Sequence, residues 1–151
     1  MDHWLEALAA TPLAEWMRYS RWGYAAINTL HVFSVALLVG AIVPLDLKLM
    51  GFWRRLNTEL IAQVLVPVAI TGLLGAIASG VLLFLAGPAD YAGLKIFLIK
   101  MLLIVLATLN ALNLHWRIGY AGRQGALRVA GALSLLLWLG VLVAGRMIAY
   151  V

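Results

Sequence analysis

The sequence predicts an all-α polytopic membrane protein: a four-transmembrane-helix bundle preceded by a short N-terminal amphipathic interfacial helix. Three observations predict it. Hydrophobic residues make up 65% of the 151 and charged residues only 11%, where a soluble domain carries about 45–50% and about 25%. Four long stretches are nearly free of charge, and each is long enough to cross a bilayer core of about 30 Å with roughly 20 residues. The connectors between them are short and basic. Four spans use up the chain, so residues 1–151 are expected to form a single membrane domain.

Residues 1–21 set acids, Asp2 and Glu6, among Trp4, Leu5, Leu8, Leu13, Trp16 and Met17. A secretory signal would need a cationic start followed by an apolar core, and neither is present. Thr11 suits an N-cap, with Pro12 at the first helical position and Glu15 in the first turn. The segment reads as an amphipathic helix lying on the membrane surface, anchored by Trp4, Trp16 and Tyr19.

The first span is expected at about 22–46, on the 24-residue uncharged run Trp22–Leu45, with Gly51 as a natural helix terminator. The second is expected at about 62–86, its usable core confined between Pro67 and Pro88. The third, about 94–115, is interrupted by Lys100 alone, and the fourth, about 127–149, carries Arg146 near its end. Gly72, Gly75, Ser79 and Gly80 put small residues on the second span, and Gly140 and Ala144 do the same on the fourth. Such spacing lets helix backbones approach closely.

Eleven Lys+Arg against six Asp+Glu give a net charge of +5. No basic run interleaved with aromatics accompanies it, so the excess is assigned to topology and nucleic acid is not an expected partner. Six cations (Lys48, Arg54, Arg55, Arg117, Arg123, Arg128) lie in the first and third connectors, against Arg18, Arg21 and Lys95 on the other side. The positive-inside bias then places both termini outside, which in a bacterial inner membrane is the periplasm. With no cysteine, disulfides, thiolate metal sites and iron–sulfur clusters are excluded.

Ionisable residues inside a span are expensive and point to function. His31 lies roughly 14 Å along the helix axis from Trp22, at about 1.5 Å per residue. Lys100 and Met101 fall at a comparable depth in the third span, and Arg146 near the outer end of the fourth. His31 is the candidate axial ligand of a b-type haem or, alternatively, a ligand to a copper ion. Met101 is a candidate second ligand, Lys100 and Arg146 suit haem propionates, and Asn28, three residues before His31, could orient the imidazole. Each has a plainer role: His31 as an interhelical hydrogen-bond donor, Lys100 snorkelling to the headgroups, Arg146 as an interface anchor, Met101 as packing. His115, beside Trp116 and Arg117, reads as interfacial, and Asn110 and Asn113 as interhelical hydrogen-bond formers. Asp46, just past the apolar run, is expected to clasp the loop cations or Arg117 at the surface.

The stretch Thr11-Pro12-Leu13-Ala14, then Arg18, Leu30-His31-Val32, Leu38-Val39-Gly40 and Asp46-Leu47-Lys48-Leu49-Met50-Gly51 resembles a group of small bacterial four-helix inner-membrane proteins. That group carries a first-span His and a D-L-(R/K)-L-(L/M)-G sequence at the inner end. More distantly the chain resembles copper-resistance-D-type and b-type cytochrome membrane proteins, although the paired histidines of a two-haem bundle are missing. The resemblance covers residues 11 to 51, with weaker support from Lys100 and Asn110, and implies an inner-membrane four-helix protein. The resemblance itself implies no activity; the intramembrane His31 makes electron transfer by a haem b protein the leading expectation. The alternatives are a cofactor-free accessory subunit of a larger membrane complex and a small metal or solute transporter. A homo-oligomer or a larger complex within the lipid bilayer is the expected setting. No nucleophile–base pair, carboxylate pair or phosphate loop favours an enzyme.

Overall fold

The computed structural model describes residues 2–150; Met1 and Val151, the ends of the expected domain, lie outside the described residues. The chain is 88% helical with no strand among the described residues, and four helices are long and apolar enough to span a membrane. Helical backbone satisfies its own hydrogen bonds, which hydrocarbon demands of any lipid-exposed segment.

The N-terminal segment forms two helices rather than one, α1 (Asp2–Ala9) and α2 (Pro12–Tyr19). Thr11 divides them. Its hydroxyl donates to the Leu8 carbonyl at 2.8 Å and accepts from the Ala14 amide at 3.3 Å, closing one helix and capping the next. The amphipathic reading survives the split: Leu5, Ala14 and Met17 are buried while Trp4, Trp16 and Tyr19 are exposed. Arg18 ties the pair to the bundle through a 3.2 Å bond to the Ala86 carbonyl.

α3 (Arg21–Met50) begins at Ser20, whose hydroxyl accepts from the Gly23 amide. Its 30 residues span about 45 Å at 1.5 Å per residue, more than the hydrocarbon thickness. It stops at Gly51, at φ 110°, whose amide reaches back to the last turn. α4 (Thr58–Leu85) is capped by Asn57, which accepts from the Glu59 and Leu60 amides. It runs straight through Pro67 instead of starting beyond it. Proline removes one amide donor there, a loss that membrane helices absorb more readily than soluble ones. A short α5 (Pro88–Gly93) turns the chain into α6 (Lys95–Asn113), which continues as a π-helical turn over Leu114–Ile118. The last span, α7 (Gln124–Met147), ends in a 3-10 turn, Ile148–Tyr150.

The four spans pack in the order α4, α3, α7, α6, and the side chains of α4 and α6 meet across the bundle. Extensive contact joins α3 to α4, α3 to α7 and α6 to α7, while the backbones of α4 and α6 stay apart. Those two helices meet through a Phe84–Phe97 stack, with centroids 5.5 Å apart, at the end that carries the termini. They also share a mid-depth core of Leu38, Ile42, Ala107 and Trp138, against which Ala69 and Leu73 pack. At the opposite end Leu45, Leu49, Ala62, Leu114, Leu127 and Ala130 form a second core.

Small residues set the contacts, as their spacing predicts. A Cβ on Gly72 would lie 2.5 Å from the Leu38 amide nitrogen and 2.8 Å from the Ser34 carbonyl oxygen. On α7, a Cβ on Gly131 would lie 2.9 Å from the Asp46 carbonyl. Gly40 meets nothing within 4 Å. Gly72→Ala is therefore expected to destabilise the fold by about 1–3 kcal/mol through overpacking against backbone. Gly40→Ala should stay within about 0.5 kcal/mol of the parent. Unfolding in mixed detergent–SDS micelles measures both, and equal effects would contradict the packing described.

Candidate functional site

Most polar side chains inside the spans are spent on helix contacts. Asn110 Nδ2 donates to the Ala130 carbonyl at 3.0 Å, joining α6 to α7 as expected. Thr29, Thr71 and Thr108 each bond a carbonyl one turn back on their own helix. His115 is exposed and lies edge-on to Tyr120, in the interfacial position expected of it.

The exception is a layer nearer the terminal end. His31, half-buried on α3, meets Ser79 of α4 with Nδ1 3.0 Å from Oγ. The serine hydroxyl has one proton, and it lies 2.5 Å from the Gly75 carbonyl one turn back. Ser79 therefore accepts from the imidazole, which fixes the proton on Nδ1 and leaves the lone pair on Nε2. The ring rests on Gly80, where a Cβ would lie 3.3 Å from Cε1. Nε2 makes no hydrogen bond among the described residues, and it is not one of the fully enclosed unpartnered atoms.

Lys100 of α6 is half-buried at the same depth, within electrostatic range of His31. Its Nζ lies 3.4 Å from where a Cβ on Gly145 of α7 would stand, so that glycine makes room for the ammonium. Phe84, Tyr91 and Phe97 cluster at the adjoining end of α4 and α6. The layer thus brings an open imidazole nitrogen and an ammonium into one stratum between α3–α4 and α6–α7.

The other candidates do not join it. Arg146 is exposed and turned along its own helix, donating to the Tyr150 hydroxyl at 2.8 Å and covering its ring at 5.1 Å. Met101 and Asn28 are exposed. Ser79, which the layer needs, is absent from the sequence-based candidates: it belongs to the small-residue stripe and reads there as packing. The usable signal is that it is the one hydroxyl in a row of glycines and alanines.

Asp46 differs from the expected surface clasp. α3 stays helical to Met50, so Asp46 is buried at 3% exposure and faces Ser134 of α7. Asp46 and Lys48, two residues apart, sit on widely separated faces; Lys48 Nζ instead donates to the Trp53 carbonyl at 3.1 Å. Asp46 Oδ2 and the Trp138 indole nitrogen, four residues beyond Ser134, are both enclosed without a partner. In the connector after α6, burial first and the Asp46 charge second push the Tyr120 hydroxyl above the ordinary tyrosine range.

Among the described residues no three His, Asp or Glu side chains converge on a point that could hold a metal ion. No family model, curated protein or solved structure matches this chain.

An enclosed, unpartnered carboxylate oxygen is costly. Asp46→Asn keeps an acceptor for Ser134 and is expected to change stability by less than about 1 kcal/mol, whereas Asp46→Ala, which strands Ser134 and opens a void, should cost about 1–3 kcal/mol. SDS unfolding midpoints separate the two. A loss for Asn as large as that for Ala would show that the charge itself holds the helices.

Proposed function

We propose that this chain is a multi-pass protein of the bacterial inner membrane that binds a b-type haem in the His31–Lys100 layer and serves electron transfer. In this reading both termini are periplasmic, consistent with the cation excess in the α3–α4 and α6–α7 connectors. The observation that carries it is the imidazole of His31, oriented through Nδ1 by Ser79, with Nε2 unbonded and not enclosed. A partner on the far ring nitrogen is the means by which proteins fix a ligating histidine.

The donor set fits haem better than a bare ion. Only one imidazole is at hand, and a copper ion would need several protein ligands, whereas a porphyrin brings four nitrogens of its own. Lys100, which makes no hydrogen bond among the described residues, would supply a cation for a propionate. Met101 and Arg146 are exposed and are not assigned to the site. A bound haem would supply a one-electron couple, with His31 as the residue that would hold it and Lys100 as the neighbouring cation.

Protein purified in mild detergent after expression with haem precursor is expected to show a Soret band that shifts on reduction. His31→Ala should abolish it, and Ser79→Ala, which frees the imidazole to rotate, should weaken haem retention by about 10–100-fold. A blank spectrum, or a Soret band unchanged in His31→Ala, would falsify the proposal. The remaining readings would then be a cofactor-free subunit of a larger complex and a small metal or solute transporter.

A further inference from the structure

At the end of the bundle away from the termini, the α3–α4 connector and the start of α7 enclose a cleft of about 340 Å³. Its lining is Lys48, Gly51, Arg54, Gln124 and Arg128, which is three cations, one amide and no acid. Lys48 is buried at 7% exposure, and its one hydrogen-bond partner is the neutral Trp53 carbonyl. Arg128 crosses the mouth of α3, its Nη2 3.5 Å from where a Cβ on Gly51 would stand. The amide of Gln124 is held by the Leu49 carbonyl at 3.1 Å, which joins the two walls. Of the acids close in sequence, Asp46 faces Ser134 of α7 and Glu59 opens α4, and neither lines the cleft.

Three cations gathered around a cleft without a counter-charge repel one another unless an anion joins them. A phosphate group matches the set: it accepts several charge-assisted bonds at once and takes an arginine through two parallel contacts. We infer that this cleft is a binding site for an anionic phosphate ester at the membrane surface. Exposed Phe52 and Trp53 flank it on the same connector, at the level where aromatic side chains meet headgroups. That position favours the phosphodiester of an acidic lipid, while a free phosphate presents the same oxygens.

The experiment uses the full chain in detergent and compares two double variants that remove equal charge from exposed arginines, R54Q/R128Q in the cleft and R117Q/R123Q outside it. Native mass spectrometry reads retention of phosphatidylglycerol against phosphatidylcholine, and a parallel titration reads binding of inorganic phosphate. Binding of phosphatidylglycerol is expected to fall at least tenfold in R54Q/R128Q and to be kept in R117Q/R123Q. The same pattern with inorganic phosphate, and displacement of the lipid by it, would assign the site to a free phosphate compound instead of a headgroup. Equal losses in the two pairs, no loss in either, or no binding of either probe by the parent chain would overturn the site.

Discussion

The approach of α3 to α4 at Gly72 is the contact on which the rest of the arrangement depends. In lipid no hydrophobic force draws two apolar helices together, so close packing and a few hydrogen bonds must hold them. A residue without a side chain at position 72 lets the α4 backbone come against the Ser34 carbonyl and the Leu38 amide. Two turns on, that approach seats Ser79 against His31. A bulkier residue at 72 would separate the helices and leave both polar groups without each other in hydrocarbon. α3 repeats the device on its other side, where Gly131 of α7 meets the Asp46 carbonyl. One helix thus carries both close contacts.

The same economy governs the polar residues. Each hydrogen bond between spans or connectors either fixes a helix pair, as Asn110 to Ala130 and Gln124 to Leu49 do, or fixes the state of a titratable ring, as Ser79 does for His31. Among the described residues Asp46 Oδ2 and the Trp138 indole are enclosed without a partner between α3 and α7, Lys100 lies beside Gly145, and Lys48, Arg54 and Arg128 line the far-end cleft. Water cannot screen such groups inside the bilayer, so they are where bound partners would repay most. The haem and phosphate sites proposed above use two of them, at opposite ends of the bundle.

Much of the architecture was legible in the sequence because a bilayer reads composition and length directly. The four spans, the capping by Thr11 and the stop at Gly51 follow from local rules that neighbours do not override. Three things were not legible. Pro67 reads as a boundary in a soluble helix, but in lipid the alternative to a helix is an unsatisfied backbone, so α4 continues through it. Asp46 reads as a surface acid because the apolar run ends at Leu45, yet rotation about α3, set by Gly131, turns it inward to Ser134. The partition of His31 and Lys100 from Met101, Arg146 and Asn28 also depends on helix rotation, and a span that is apolar all round has no moment to fix it.

The close approach of α3 to α4 is the claim on which the seating of Ser79 against His31 depends, and its most direct test is disulfide trapping in a chain that has no cysteine of its own. A Cβ on Gly75 would stand 3.1 Å from the Ser34 Cβ, so Ser34→Cys with Gly75→Cys is expected to cross-link readily on mild oxidation in membranes. Gly75→Cys paired with Leu103→Cys of α6 is expected to stay reduced under the same conditions. Failure of the first pair to cross-link, or equal cross-linking of both pairs, would contradict the seating of α4 on α3 and of Leu103 on Gly140 of α7.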